Sequence, residues 1–397
     1  MRIVLGVSAG IAAYKACELL RLLTESGHQV KVVPTPAALN FVGAATWAAL
    51  SGQPVAVSAL ESVHEVPHVR IGQEADLVIV APATADLMAR AATGMSDDLL
   101  TAVLLTARCP IIYAPAMHTE MWEHAATRAN VATLRERGCI VLDPASGRLT
   151  GADSGPGRMP EPAELFATAQ RVIARGVAAL APDLTGRTIV VSAGGTREEL
   201  DPVRYLGNWS SGKQGYALAR TAASRGAAVT LVAANTDLPD PSGVRLIRVK
   251  SATEMHAAML GAASAADAVV MAAAVADFRP AARSATKIKK DGHQAEPIIL
   301  TENPDILRDL VASRRPGQLV VGFAAETGDV LANGRAKLAR KGCDLLVVNK
   351  VGNGLAFGTL DNEVTVLSAD GTEVKLPRAH KEEIADAIWD LVAARLG

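Results

Sequence analysis

The sequence predicts an α/β fold with two doubly wound parallel-sheet domains. Two segments, beginning at Arg2 and Arg187, share one pattern: an apolar strand, a Gly/Ser-rich turn, a helix and a second apolar strand. Later strands are unbroken apolar runs between helical stretches, which is typical of parallel sheets covered on both faces. Because 397 residues are enough for about two or three domains, the repeated opening indicates two domains in tandem.

The elements of the first half follow from local patterns. A strand at 2–7 leads through a Gly/Ser-rich turn into a helix with one apolar face, which stops at Gly27. Further strands are predicted at 29–33, 77–80, 111–113 and 140–142. A helix over 163–175 precedes a segment that contains Pro182. We therefore predict domains at 1–181 and 182–397.

The second half repeats this alternation of strands and helices. Strands are predicted near 187–191, 229–233, 268–272, 319–323 and 345–349, followed by a hairpin at 363–374 and a helix at 381–396. Residues 192–215 are predicted to form a long polar loop, and loops of this length are usually functional or disordered.

Each opening provides a turn that can bind phosphate, because free backbone N–H groups and the helix dipole favour an anion there. Neither opening contains the G-x-G-x-x-G pattern. The second strands end in Pro34-Thr35 and Ala234-Asn235 rather than in an acidic residue that could hold a ribose. These features disfavour NAD and favour a mononucleotide.

Composition excludes several classes of partner. The formal net charge is −1 and there is no basic block, which argues against nucleic acid. No apolar run reaches the roughly 18–20 residues of a bilayer span, and the first residues lack a signal-peptide pattern. The four cysteines have neither disulfide nor metal-ligand spacing, so we expect buried thiols in a reducing cytoplasm.

Several polar residues fall where the parallel strands end, which is the edge at which such sheets bind ligands. His68 precedes the third strand, where a neutral imidazole can act as a general base near pH 7. An ordinary structural histidine is the alternative, and for His64 it is the interpretation we favour. Residues 147–159 suit either a mobile flap over a phosphorylated substrate or a surface loop. Lys337 and Lys341 lie one helical turn apart and can face one anion.

Short motifs occur in a fixed order along nearly the whole chain. They occupy 10–15, 67–68, 81–86, 115–122 and 155–159 in the first half, and 192–198, 201–204, 208–213, 273–278 and 287–290 in the second. In this order they resemble the bifunctional coenzyme A biosynthesis flavoproteins, in which phosphopantothenoylcysteine decarboxylase is fused to phosphopantothenate–cysteine ligase.

The resemblance implies that the first domain is flavodoxin-like and binds FMN, which oxidises the cysteinyl thiol of the substrate so that CO2 can leave. The positions that match the cofactor site are Ser8, Gly10, Ile11, Thr35, Thr84 and Asp86. His68 corresponds to the catalytic base. His118 stands at a catalytic position where the family usually has Asn. Met117 and Arg158 match substrate-binding positions.

For the second domain, the resemblance implies a Rossmann-like ligase that uses CTP and Mg²⁺. The carboxylate of 4′-phosphopantothenate attacks the α-phosphate, and the cysteine amine then opens the acyl-cytidylate. Asn208 and Lys287 match catalytic positions, Arg204 a substrate position, and the metal ligands are not identified. The nucleotide-binding positions are Ser210, Ser211, Gly212, Ala273, Asp277, Lys287, Asn303, Pro304, Asp305, Ile306, Phe323, Lys337 and Lys341.

Two departures from the family keep alternatives open. The family flap usually carries a proton-donating cysteine where this chain has Gly151, which leaves a decarboxylase that stops at the oxidised enethiol as a second hypothesis. Gln214 stands where Met is common. A third hypothesis is a non-catalytic regulatory flavoprotein, although regulators of that kind rely on acidic tails and this sequence has none.

The resemblance also bears on partners. It implies a homo-oligomer, with trimers of decarboxylase domains joined by ligase dimers. The expected partners are therefore small molecules and further copies of the chain, with no nucleic acid and no membrane.

Overall fold

The computed structural model describes residues 1–56, 66–149, 153–176, 182–289, 297–326, 329–350 and 359–397. His64 and Gly151 lie outside these ranges. The chain divides into two compact units, residues 1–182 with 240–243, and residues 183–239 with 244–397. None of the helices in the described ranges is long and apolar enough to cross a membrane.

The first unit contains seven strands in its described residues: β1 (Arg2–Val7), β2 (Gln29–Pro34), β3 (Leu77–Ala83), β4 (Ile111–Pro115), β5 (Ile140–Val141), β6 (Ala145–Arg148) and β7 (Ser154–Arg158). Its described helices are α1 (Ala13–Glu25), the 3₁₀ helix Pro36–Asn40, α2 (Ala44–Ser51), α3 (Pro67–Glu74), α4 (Ala85–Thr93), α5 (Leu99–Thr106), α6 (Thr119–Glu123), α7 (Ala125–Glu136) and α8 (Pro162–Arg175). Each strand and helix that the sequence predicts for this half is present, although β5 ends at Val141 and the predicted strand ends at residue 142.

Five strands of the first unit form a parallel sheet in the order β2-β1-β3-β4-β5. This is the flavodoxin-like order, in which the chain reverses its winding direction between β1 and β3. Apolar side chains pack on both faces of the sheet, which explains why its strands are unbroken apolar runs. The ligand crevice of such a sheet lies beyond the carboxyl ends of β1 and β3.

The strands described in the second unit are β8 (Thr188–Gly194), β9 (Arg197–Glu199), β10 (Tyr205–Gly207), β11 (Ala228–Ala234), β12 (Val244–Val249), β13 (Ala268–Met271), β14 (Phe278–Pro280), β15 (Leu300–Glu302), β16 (Leu319–Glu326), β17 (Leu345–Lys350), β18 (Asp361–Ser368) and β19 (Glu373–His380). Its described helices are α9 (Lys213–Ser224), α10 (Ala252–Ala263), α11 (Ile306–Ser313), α12 (Val330–Lys341) and α13 (Lys381–Leu396).

The main sheet of the second unit has the order β12-β11-β8-β13-β16-β17-β18-β19. Its first six strands are parallel and follow the Rossmann order, with the reversal between β8 and β13. Two antiparallel strands, β18 and β19, extend one edge. The predicted α/β class with doubly wound sheets is confirmed, and this hairpin makes the second sheet mixed.

The long loop predicted over 192–215 is wrong in part. Strand β8 continues to Gly194, the hairpin β9–β10 forms within the segment, and α9 begins at Lys213. The Asp201 carboxylate accepts hydrogen bonds from the backbone N–H groups of Val203 and Arg204 at 2.7 and 2.8 Å, which fixes the turn between the two short strands. Asp201 therefore stabilises an ordered turn in a segment for which the sequence pattern predicts only a loop.

Helix α13 completes the core of the second unit. Trp389 is fully buried, and its indole N–H donates to the carbonyl of Leu218 in α9 at 2.9 Å. Arg225, at the end of α9, forms ion pairs with Asp183 and with Asp386 of α13. Apolar packing and buried charge pairs together attach α13 to the helix that begins beside the predicted nucleotide site.

Gly215 lets α9 approach the central strand closely. A Cβ atom at this position would lie 2.5 Å from the Cβ of Ala193 and 2.7 Å from the carbonyl oxygen of Ser192. We expect Gly215→Ala to lower the free energy of unfolding of the second unit by about 1–3 kcal/mol, measured by urea titration. The matched control is Gly261→Ala in α10, where a Cβ meets no atom within 4 Å and a gain of about 0.5–1 kcal/mol is expected. Equal effects of both substitutions would contradict this account of Gly215.

Candidate active sites

In the first unit, Ser8 joins the two strands that flank the crevice. Its buried hydroxyl donates to the carbonyl of Pro82 at 2.7 Å and accepts from the backbone N–H of Thr84 at 3.0 Å. The predicted cofactor residues after β1 and β3 are therefore brought together. The Ser8 hydroxyl makes its hydrogen bonds within the protein and so positions the turn. A ligand at this turn would be contacted by the backbone that follows Ser8.

The turn after Ser8 presents unused donors. Within the described part of the chain, the backbone N–H groups of Gly10, Ile11 and Ala12 have no hydrogen-bond partner. A Cβ at Gly10 would meet no atom within 4 Å, so the space beside the turn is open. Ile11 is 77% exposed and Tyr14 is 61% exposed, which places apolar surface next to these donors. Such a combination fits a phosphate attached to a flat, partly apolar group.

The remaining predicted cofactor residues lie at helix starts on the same edge. The Thr35 hydroxyl accepts from Ala38 N–H and caps the 3₁₀ helix, and the Thr84 hydroxyl accepts from Leu87 N–H and caps α4. Asp86 is exposed in the first turn of α4 and pairs with Arg90 at 3.0 Å. Thus the two threonines order helix N-termini at the crevice, while the Asp86 carboxylate faces solvent.

His68 is the second residue of α3, and its backbone carbonyl accepts a hydrogen bond from the Thr106 hydroxyl at 2.9 Å. Its Nδ1 atom is buried and has no hydrogen-bond partner among the described residues. Buried polar atoms are normally paired, so an unpaired one indicates a missing ligand or water. The unpaired Nδ1 atom of His68 is therefore suited to exchange a proton with a bound substrate.

The predicted flap is the antiparallel hairpin β6–β7. The backbone N–H of Met117 donates to the carbonyl of Gly157 at 2.9 Å, so the hairpin packs against the segment after β4. His118 is exposed at the residue before α6, and the buried hydroxyl of Thr119 has no partner in the described chain. Met117, His118 and the flap are thus brought together.

Glu161 connects this flap to the turn after β1. Its Oε1 atom accepts from Lys15 Nζ at 2.8 Å and from Arg158 at 3.2 Å. Lys15 belongs to the first turn of α1, and Arg158 is the predicted substrate residue. Glu161 carries no sequence signal of its own, because its role depends on Lys15, a partner from a distant part of the chain.

The second unit contains two adjoining cavities of about 490 and 350 Å³ beyond the carboxyl ends of β8, β13 and β16. Both are lined by Ala273, Val275, Asp277, Phe323 and Lys337. All predicted nucleotide-binding residues except Lys287 line one cavity or both. The larger cavity adds Ser210, Ser211 and Gly212, and the smaller adds Asn303, Pro304, Asp305, Ile306 and Lys341.

Two lysines line the smaller cavity, and one of them, Lys337, also lines the larger one. Burial lowers the pKa of Lys337, and the nearby ammonium of Lys341 lowers it further, while the Glu326 and Asp277 carboxylates oppose the shift. Lys341 is paired with Asp305; burial raises the pKa of that carboxyl, but Lys341 and the Arg308 N–H more than compensate, so it stays below its usual range. An anion entering here would offset the cost of holding the two lysines together.

Asn208 lines the larger cavity, and its side-chain amide donates to the carbonyl of Val275 at 3.0 Å. Lys287 is exposed and lines neither cavity. Arg204 donates to the carbonyl of Ile288 at 2.7 Å, and the Ile288 N–H donates to Asp201 at 3.1 Å. The predicted residues Arg204 and Lys287 are therefore neighbours on the β9–β10 side.

Sequence reasoning missed part of the larger cavity. Its wall also includes Gln214, Asn349, Asn362 and Lys381. These residues come from four separate elements, two strands and two helices, which only the tertiary structure brings together. In the residues that the structure describes, no group of three or more His, Cys, Asp or Glu side chains is arranged to hold a metal ion.

Comparison with known proteins identifies the family. Residues 1–174 match the family described as Flavoprotein, and residues 184–396 match the DNA/pantothenate metabolism flavoprotein C-terminal domain. The coenzyme A biosynthesis bifunctional protein CoaBC of Mycolicibacterium smegmatis is 59% identical over 405 residues, which cover 100% of this chain and 98% of that protein. The chain belongs to the CoaBC family.

Other CoaBC proteins match over a similar length. The Mycobacterium tuberculosis protein is 57% identical over 405 residues, covering 100% of this chain and 97% of the relative. The Vibrio cholerae protein is 43% identical over 395 residues, covering 98% of this chain and 97% of the relative. The prediction of a bifunctional coenzyme A biosynthesis enzyme, with a flavoprotein decarboxylase domain before a ligase domain, is confirmed.

Proposed function

We propose that the chain catalyses two consecutive reactions, one in each unit. Residues 182–397 ligate 4′-phosphopantothenate to cysteine with CTP, and residues 1–181 decarboxylate the product to 4′-phosphopantetheine with FMN. The main support is the pair of adjoining cavities in the second unit, which collect nearly every residue of the predicted nucleotide site. We assign CTP as that nucleotide because the chain belongs to the CoaBC family.

In the ligase reaction, the substrate carboxylate attacks the α-phosphate of CTP and pyrophosphate leaves. The cysteine amine then attacks the acyl carbon and releases CMP. Lys337 and Lys341 are placed to neutralise the phosphates, and the cavity face of Asn208 is placed to orient the acyl group. Mg²⁺ would enter with the nucleotide phosphates, as is usual for this ion.

In the first unit, the open turn at Gly10–Ala12 fits the phosphate of FMN, and the exposed side chain of Ile11 in that turn fits its apolar ring. Bound there, FMN would supply the two-electron oxidation of the cysteinyl thiol that makes loss of CO2 possible. We assign proton removal to His68, substrate contacts to Met117, His118 and Arg158, and flap positioning to Glu161.

We further propose that the protein is a homo-oligomer. Three apolar side chains are exposed here: Phe278 in β14, Leu300 in β15, and Ile299 immediately before β15, which is 76% exposed. Exposed apolar side chains on a short pair of antiparallel strands are typical of a surface that a second copy covers. The cytoplasm stays the predicted location, in keeping with four free cysteines.

The decisive experiment is to incubate the protein with 4′-phosphopantothenate, cysteine, CTP and Mg²⁺ and to identify the products by mass. We expect 4′-phosphopantetheine, CMP, pyrophosphate and CO2. Accumulation of the oxidised enethiol would favour the second hypothesis, which rests on Gly151 in place of the usual flap cysteine. Absence of every product from protein that binds flavin would favour a regulatory flavoprotein.

The two reactions should be separable by substitution. We expect Lys287→Gln to lower the ligation rate at least tenfold, because an exposed ammonium beside the substrate residue Arg204 would be lost. Decarboxylation of supplied phosphopantothenoylcysteine should continue at the wild-type rate. Both rates are measured on the same preparation, and a parallel loss of both would argue against independent sites.

A further inference from the structure

One end of the larger cavity contains an arrangement of charge that the proposed nucleotide residues do not account for. Helices α9 and α13 both begin there, and each begins with a lysine, Lys213 and Lys381. The backbone carbonyl of Lys381 accepts a hydrogen bond from the Gln214 side chain at 3.3 Å, so the two helix starts are in direct contact. Two helix dipoles and two ammonium groups therefore point to one region.

The ammonium group of Lys381 is fixed in place although the residue is only 5% exposed. It donates to the carbonyl oxygens of Thr359 and Asp361 at 2.5 and 3.1 Å. Burial, followed by repulsion from Lys213, lowers the pKa of Lys381 to about 8, although the Asp361 carboxylate opposes the shift. A buried cation close to a second cation is costly, and an anion bound between them would remove part of that cost.

Neutral donors complete the region. Within the described chain, the backbone N–H groups of Gln214 and Gly215 in the first turn of α9 have no hydrogen-bond partner. Asn362 donates to the side-chain oxygen of Gln214 at 3.1 Å, which orients the Gln214 amide. Free N–H groups at a helix start beside lysines are the usual means of binding a phosphate.

We infer that the Lys213–Lys381 end of the cavity is a subsite for a terminal phosphate group, separate from the Lys337–Lys341 end. The inference rests on the proposed ligase function, in which two ligands carry a terminal phosphate: the nucleotide and the acyl substrate. Lys381 binds this phosphate electrostatically from its fixed position, and Lys213 and the α9 N–H groups contact it directly.

The test is calorimetric titration of the full chain with four probes: CTP with Mg²⁺, CMP, 4′-phosphopantothenate and pantothenate. We expect Lys381→Met to raise the Kd of one phosphate-bearing probe by about ten- to hundredfold, the usual effect of losing a charge-assisted contact. A loss confined to CTP, with CMP unchanged, assigns the subsite to the nucleotide. A loss confined to 4′-phosphopantothenate, with pantothenate unchanged, assigns it to the acyl substrate.

Because Lys381 also holds two backbone carbonyls, Lys213→Met tests the same subsite from a different helix. The matched control is Lys375→Met on β19, an exposed lysine whose removal should leave every Kd unchanged. Wild-type Kd values for CTP and 4′-phosphopantothenate in both folded variants would overturn the inference. Failure of the wild-type chain to bind either ligand would instead contradict the proposed function.

Discussion

The His68→Asn variant is expected to keep its flavin and to release CO2 from phosphopantothenoylcysteine about a hundred- to ten-thousandfold more slowly than the wild type. The imidazole is held at the start of α3, and its buried Nδ1 atom has no partner in the described chain. Removing a general base costs rate of this order, whereas an amide of similar shape preserves packing. The measurement is the initial rate of CO2 release, together with the flavin absorption spectrum.

The control for this variant is His124→Asn. His124 is exposed in the same unit, and its ring accepts a hydrogen bond from Ala126 N–H at the start of α7. Asparagine is a good helix cap, so this substitution should change neither folding nor rate. Normal turnover by His68→Asn would remove His68 from the mechanism, and loss of flavin would make it a structural residue.

Trp389→Ala is expected to lower the free energy of unfolding of the second unit by about 3–5 kcal/mol. The substitution leaves a large cavity between α13 and the sheet and leaves the carbonyl of Leu218 without its indole partner. Urea titration followed by CTP binding measures the second unit. The flavin spectrum of the same samples reports on the first unit, and we expect it to lose its bound-state features at the wild-type urea concentration.

Glu383→Ala provides the comparison, because Glu383 lies on the exposed face of the same helix. Its effect should fall within about 0.5 kcal/mol. If the two substitutions shift the CTP-binding transition equally, burial of the indole does not stabilise this unit.

Much of the fold could be predicted because its signals are local. The apolar run at 77–80 and the Gly/Ser-rich turn after Val7 each specify their own element, and the order of motifs adds the domain sequence. The strands of the second unit were harder to predict from the sequence. Strands such as β14, with three residues, have no periodicity and form only because β15 pairs with them.

The candidate sites show the same division between local and distant signals. Asp277 belongs to the motif at 273–278, and Lys337 lies one helical turn from Lys341. Both residues line both cavities of the second unit. Glu161 and Lys381 carry no local signal. Glu161 gains its importance from Lys15 in α1, and Lys381 from Thr359 and from Gln214 in the helix packed beside it. Pairings of this kind depend on tertiary structure and cannot be deduced from spacing.

Docking of α13 has a consequence for biosynthesis of the protein. The hydrophobic core around β8 includes Ile388, Trp389 and Val392, which a ribosome adds after every strand of that sheet. Until those residues leave the ribosome, the nascent second unit exposes apolar surface over α9. The β2-β1-β3-β4-β5 sheet of the first unit is synthesised earlier and can fold before then. Chaperone binding during translation should therefore concentrate on chains stalled between residues 225 and 380.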